Sequence, residues 1–493
     1  MSYLFDLPTT SAVSFADVLI DASGSSARAP QLAACTAARG RVRSQLKLAK
    51  RAAKRSAKGD KTGSSLHGPD WEAIIKACPS RFQVTQEYIP LVVSLQDCID
   101  RDSLLCKTEP VFAWRPVLSS RLTRRPARLV LPSLRYELAA VLLTHALALA
   151  NAASARVLSL GPYEHDKMLA ESQRKANDEA INSDANMLTR ASAIMTYLSA
   201  ELLPVCETKA PSVKELPADL TKELTFALSK VLMADAERLA IRRLLSRSSA
   251  DTALRPGPPL PRTHPSPGLL AKLYLNVYEH YDAARSTAKL VGGQRKTEDA
   301  HLSNDAKSIV LQSFRTYLSD GRAASLAIGY KWLGVEAGER MSKYGEAIGW
   351  LKLAREALQD LVSSGKPLAS LLGRNKARAG RKSHLEAELA SVEMFLTSYT
   401  QLNETITFEP VTTAATLLTR VPAGRSAMTV PKYELPKPIF STTKSSIDMS
   451  SMQLALEGLD GGGDGAGSED SDDDSDEQTG PSIGRYAGAG SYF

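Results

Sequence analysis

A chain of 493 residues that is 43% apolar and 23% charged has enough apolar side chain for a large core, or for a long stack of helices sharing one, and is not dominated by its tail. Five cysteines (Cys35, Cys78, Cys98, Cys106 and Cys206) include no C-x-x-C pair and are too sparse for a disulfide framework, so reduced thiols in a cytosolic protein are expected. The net charge of +7 hides a segregation: residues 39–61 hold ten Lys or Arg and one acid, whereas Glu469 to Glu477 carries seven acids in nine residues. Such blocks point to partners of opposite sign, namely nucleic acid, an anionic membrane surface or an acidic protein segment.

The amino terminus meets Asp6 and Pro8 with no basic region before its apolar residues, so no secretory signal is expected. Apolar positions then recur every three to four residues, predicting helices near 31–58, 83–106, 133–158, 166–203 and 215–247. On the first, Arg43, Lys47, Lys50, Arg51, Lys54, Arg55 and Lys58 recur at helical spacing around Val42, Leu46, Ala49 and Ala53. This face is either simply solvated or drawn to anionic lipid. Nucleic acid is disfavoured, because no aromatic side chains interleave the charges to stack on bases.

Two short strand signals follow, Val111 to Trp114 and Arg128 to Leu131, each bounded by proline, which suits a small hairpin at one edge of a helical body. Leu138 to Ala155 runs 18 residues without a formal charge. It is alanine-rich and contains Thr144, His145, Asn151 and Ser154, so a buried helix of a soluble protein is expected rather than a membrane span.

Between residues 251 and 268 six prolines fall within twelve residues, which forbids helix. Because helices of the same character lie on both sides, this reads as an insertion between consecutive helices of one solenoid. Periodicity resumes near 268–290, 300–319, 322–340, 344–364 and 381–403. The pair at 322–360 is the most specific local signal. Tyr344, Ala347, Ile348, Leu351, Ala354 and Leu358 make one apolar face, and Gly345, Ala347 and Ala354 are small where two helix backbones would approach closely. The pair reads as one tetratricopeptide-like unit, which cannot bury its face alone and needs stacked neighbours. A domain over 1–405 is therefore expected, then a proline-containing linker over 406–440 and a disordered acidic Gly/Ser/Asp tail over 441–493, in which Ser471 stands three residues before Asp474 as a possible phosphosite.

Four strings carry a resemblance to a known family. Tyr344-Gly-Glu-Ala-Ile-Gly-Trp-Leu and the alanine-rich helix with Arg190-Ala-Ser-Ala-Ile-Met-Thr-Tyr-Leu resemble the core of the Alix-type BRO domain. Phe5-Asp-Leu-Pro-Thr-Thr and Phe112-Ala-Trp-Arg-Pro-Val-Leu-Ser resemble the BRO-domain proteins of the fungal ambient-pH (Pal/Rim) pathway. Their order and spacing over roughly residues 1–405 carry the weight. The tyrosine of the Alix pattern before the helix break falls nearer Trp332 than Tyr330, so its role is not carried over. The chain also leaves no room for the coiled V-shaped domain that follows in Alix, which fits the pH-response branch.

The resemblance implies an all-α, boomerang-shaped BRO-type helical solenoid, and a non-enzymatic adaptor in the cytoplasm, recruited peripherally to endosomal or plasma membrane. It implies that the concave face binds the carboxy-terminal amphipathic helix of an ESCRT-III filament subunit, beside other pH-signalling components. Helix-in-groove recognition needs exposed aliphatics at three-to-four spacing. Ile194, Leu198 and Leu202 offer it, and Ile348 and Leu351 are the second choice. A general endosomal-sorting scaffold, or a basic binder of nucleic acid or anionic membrane, are the alternatives. The sequence contains no G-x-x-x-x-G-K-[ST], H-E-x-x-H or G-x-S-x-G, and its seven histidines are scattered without ligand spacing, so no enzyme, cofactor or metal site is expected.

Overall fold

The computed structural model describes residues 2–22, 28–59, 71–119, 128–166, 168–209, 216–254, 257–291, 310–363 and 375–440, with backbone alone for 53–59, 71–81, 209, 250, 252–254 and 375–380. The tail expected over 441–493, with Ser471, lies outside the described residues.

In chain order the elements are β1 (Thr9–Thr10), α1 (Phe15–Val18), β2 (Leu19–Asp21), α2 (Ala29–Gly59), α3 (Trp71–Asp100), β3 (Leu104–Cys106), β4 (Val111–Arg115), β5 (Leu129–Pro132) and α4 (Leu134–Leu160). There follow α5 (Glu171–Tyr197), α6 (Leu203–Lys209), α7 (Lys222–Leu254), α8 (Pro267–Leu290), α9 (Gln312–Glu339), α10 (Tyr344–Ser363), α11 (Asn375–Leu402) and α12 (Ala414–Leu418). Leaving the short α1, α6 and α12 aside, each helix packs chiefly on the one before and the one after it. That nearest-neighbour order is what defines a solenoid. The all-α expectation is borne out.

The apolar run in α4 is a core helix. Nearly every side chain from Leu134 to Val157 is buried, because α4 lies between α3 and α5 and receives the sheet at its amino end. Ser133 caps it by accepting from the Arg135 N–H at 3.3 Å, and Gly161, at φ +60°, ends it in a backbone conformation that side chains with Cβ rarely adopt.

The predicted hairpin forms, with Phe112 opposite Leu131 and Trp114 opposite Leu129, and β1 adds a third strand from the amino terminus. The string Phe112 to Ser119 is fixed at its far end by a buried carboxylate: Asp219 accepts the Leu118 N–H at 3.0 Å. The helix expected over 83–106 stops at Asp100. Asp102 turns left-handed (φ +54°), the Ser103 N–H closes onto the Cys98 carbonyl, and Leu104–Cys106 pairs antiparallel with β2 instead.

The proline-rich loop joins α7 and α8, which pack together as consecutive helices. Instead of one helix ending at 319 and another beginning at 322, one helix runs from Gln312 to Glu339, and residues 300–309 of the first expected helix lie outside the described residues. Gly321, the apparent break, is helical. A Cβ there would lie 2.8 Å from the Tyr281 ring of α8, so the small residue marks a close crossing rather than a turn.

The α9–α10 pair has the tetratricopeptide-like crossing read from the sequence. Gly334 faces Leu351, and a Cβ on it would lie 3.1 Å from the Ala347 carbonyl oxygen. Gly345 is small for a different reason: it backs onto the Pro410 carbonyl, not onto another helix. Residues 408–440, within the 406–440 read as a linker, run as a strap across the stack. The strap is tied to α10 by the Thr412 N–H on the Gly345 carbonyl, to α8 by the Arg425 N–H on the Lys272 carbonyl, and to α3 by the Ile439 N–H on Ser94 Oγ at 2.7 Å.

Candidate partner-binding groove

Where the strap crosses α8, α7 and α5 it borders a groove. Glu237 of α7 is buried, and a buried carboxylate needs donors on both oxygens. Asn276 Nδ2 of α8 lies 2.8 and 2.7 Å from the two oxygens, the Ser426 hydroxyl of the strap donates to Oε1 at 2.7 Å, and His280 Nε2 stands 3.8 Å away. Gly424 lets the strap come this close. A Cβ there would sit 2.7 Å from the Asn276 backbone.

Beyond this latch, Met428 and Val430 of the strap form one wall, and Thr196 of α5 and Lys230 of α7 contribute to the other side. The Ser192 hydroxyl donates to the Ser229 carbonyl at 2.8 Å in the floor, locking α5 to α7. On the next turn of α7, Phe226 is 37% exposed and carries the Lys230 ammonium 5.2 Å above its ring. Tyr433 packs edge-on against Tyr197 (5.4 Å, 61°) and closes the strap onto α5. An exposed aromatic, an aliphatic strap and one cation suit an amphipathic helix with an acidic flank better than a small molecule.

The residues chosen from sequence are not that surface. Ile194, Leu198 and Leu202 are 3%, 0% and 7% exposed, and Ile348 and Leu351 are buried in the same core. The first three belong to the packed face of α5 and the turn that follows it: Leu198–Leu202 is π-helical, and both leucines stay on the buried side with Ile194 while Thr196, Ala200 and Glu201 face out. Phe226 was not among the residues chosen from sequence. Its signal was being out of phase, since Leu224, Ala227, Leu228 and Val231 are buried and leave it the one large apolar side chain on the outer face of that stretch.

On α2, Arg43 is half-buried and Lys47, Lys50 and Arg51 are exposed, whereas the side chains of Lys54, Arg55 and Lys58 lie outside the described residues. Partial desolvation, followed by the charges of Arg43, Arg128 and Arg51, lowers the Lys47 pKa from its ordinary value. Arg39 leaves the basic face altogether and is buried against Glu137. Among the described residues no group of His, Cys, Asp and Glu has the arrangement of a metal site. His145 is buried beside Thr85 Oγ1 at 2.9 Å, and desolvation, with a smaller contribution from Arg190, brings its pKa down to about 4.

The comparisons agree on one family for this helical solenoid. The model of the BRO1-like domain matches residues 78–447, and the chain belongs to that family. Within the family it is similar over nearly its whole length to pH-response regulator protein palC. It shares 32% identity with the protein of that name from Cryptococcus neoformans var. neoformans serotype D, covering 88% of this chain and 92% of the relative. With the palC of Emericella nidulans it shares 25% identity, covering 87% and 88%. Among solved structures, the ALIX BRO1 domain in its CHMP4C complex superposes with a TM-score of 0.53 at 16% identity, covering 91% of this chain and 99% of that one. A Bro1 domain described as the basis for endosomal targeting gives 0.51 at 14% identity, covering 87% and 93%. The BRO-type fold expected from the four strings is thereby established.

Proposed function

We propose that this chain is a non-enzymatic adaptor of the ambient-pH signalling pathway that binds the carboxy-terminal helix of an ESCRT-III subunit, and so brings pH-signalling components together for assembly of the proteolytic signalling complex at a membrane. The pathway assignment rests on similarity over most of the chain to proteins named pH-response regulator palC. The observation that carries the partner class is the fold shared with a BRO1 domain solved in complex with CHMP4C. The groove supports it, because Met428 and Val430 of the strap line it together with Lys230, whose ammonium lies over the exposed ring of Phe226 one turn away on α7, and these offer apolar surface with a cationic edge to one face of a helix. The adaptor works in the cytoplasm and is recruited peripherally to endosomal or plasma membrane.

Growth of a deletion strain complemented with this chain tests the reading. Wild type should restore growth at alkaline pH and Phe226→Asp should not, with both strains growing equally at acid pH. A deletion that grows normally at alkaline pH would sink the pathway assignment. A defect at every pH would point to a general endosomal-sorting scaffold.

A further inference from the structure

Basic side chains also gather on the seam between α8 and α9, and there they line a cleft. On the α8 side Arg285 and Lys289 stand one turn apart. On the α9 side Gln312, Arg315 and Ser319 follow one another at three-to-four spacing and so share a face. Between the two rows lies a cleft of about 170 Å³, with the buried Ala288 and Leu318 beneath. Arg285 is half-buried and donates from Nε to Ser319 Oγ at 3.2 Å, and Arg315 Nη1 donates to Gln312 Oε1 at 3.2 Å. These two bonds hold the guanidinium groups at the cleft while most of their N–H donors have no protein acceptor among the described residues.

No acidic side chain lines this cleft, and among the described residues neither Arg285, Lys289 nor Arg315 forms an ion pair. The deficit is local. One turn further along the same seam, Arg322 of α9 bonds to Asp282 of α8, so opposite charges are set across the two helices where nothing has to enter. Like charges around one concavity repel each other, and its low-dielectric walls focus their field on whatever occupies it. An anion relieves that repulsion. We propose that the cleft between α8 and α9 docks a phosphorylated serine or threonine of a partner protein segment, with Arg285 and Arg315 on the phosphate oxygens and Lys289 beside them. An arginine fork matches two phosphate oxygens at once, and a lysine ammonium serves as a point charge. A phosphate monoester carries about two negative charges at neutral pH, which a carboxylate side chain cannot match against this many cations. The Gln312 amide and the Ser319 hydroxyl add neutral hydrogen-bonding groups at the edge, which suit the peptide groups on either side of a phosphorylated residue. Nucleic acid is disfavoured, because no aromatic side chain lines the cleft to stack on a base.

The cleft shares no residue with the strap groove, so the two can be tested apart. A labelled Gly-Gly-phosphoserine-Gly-Gly peptide and its unphosphorylated twin are titrated with the full chain by fluorescence anisotropy. The chains compared are wild type, Arg285→Gln/Arg315→Gln, Lys289→Gln and, in the groove, Lys230→Gln, with circular dichroism melts to establish that each is folded. Wild type should bind the phosphopeptide at least about tenfold more tightly than the unphosphorylated one. The double arginine variant should lose at least about tenfold of that affinity, and Lys230→Gln should bind as wild type does. Lys289→Gln, at an exposed position, should weaken binding severalfold and carries the test should the double variant melt early. Equal binding of the two peptides by wild type would overturn the site, as would wild-type affinity in the folded double variant or in Lys289→Gln. Binding of vesicles containing a phosphoinositide with the phosphopeptide ignored would overturn it as well.

Discussion

Arg39 Nε of α2 donates to Glu137 Oε1 of α4 at 2.9 Å with both side chains out of contact with water. Around this pair the amino-terminal body is assembled. The Trp114 indole N–H donates to Glu137 Oε2 at 2.6 Å, the Tyr88 hydroxyl to Oε1 at 3.1 Å, and Arg39 Nη2 reaches Thr10 Oγ1 at 2.7 Å, so that α2, α3, α4 and the three-stranded sheet meet on one carboxylate. Burial, then the Glu137 charge, holds the Tyr88 hydroxyl well above its ordinary pKa, which keeps it a donor.

Removing one member of such a pair leaves the other buried and uncompensated, at a cost of about 3–5 kcal/mol. Glu137→Ala should therefore lower the unfolding free energy by about that amount, read from the urea midpoint at unchanged slope. A midpoint within error of wild type would show that the network is not what joins sheet to helices.

His145 gives stability a pH dependence with a definite sign. Its folded pKa, about 4, lies below the unfolded value of about 6.5, so the unfolded chain binds the extra proton between them. The contribution is complete above about 6.5 and is lost as pH falls towards about 4, on the order of 3 kcal/mol in total. Asp184 acts oppositely: desolvation, only partly offset by Arg156, raises its pKa to about 6, so its contribution falls as pH rises through that range. Urea midpoints across pH 4 to 7 should rise less steeply in His145→Gln than in wild type, and more steeply in Asp184→Asn.

The strap should be lifted by one charge. Ser426→Asp places a carboxylate where a hydroxyl now donates to buried Glu237, replacing an attraction by a repulsion from a buried charge. Hydrogen exchange at residues 424–430 should accelerate by about tenfold or more, with protection in α7 and α8 nearly unchanged. Ser426→Ala, which removes only the donor, should fall between the two.

The sequence shows most plainly the features that short-range chemistry decides. The uncharged run from Leu138, the prolines bracketing the hairpin and the Tyr344 to Leu358 stripe each imply their element locally, and each forms. What was hidden depends on distant neighbours. Thr9–Thr10 is too short to signal a strand before Arg115 and Trp114 are known to lie beside it. Gly321 resembles a break until the Tyr281 ring explains it, and the strap has no periodicity because its hydrogen bonds go to other elements. The binding face was the hardest part. Ile194, Leu198 and Leu202 show the spacing that a docking stripe and a core stripe share, and only their burial separates the two.

The most direct measurement is titration of a labelled peptide, the carboxy-terminal amphipathic helix of the ESCRT-III subunit, into the full chain. Wild type should bind saturably, Phe226→Asp at least about tenfold more weakly, a difference of about 1.4 kcal/mol, and Ser426→Asp should bind with altered affinity because the strap forms one wall. Equal affinity of wild type and Phe226→Asp would contradict the groove, and no binding by folded wild type would contradict the adaptor function itself.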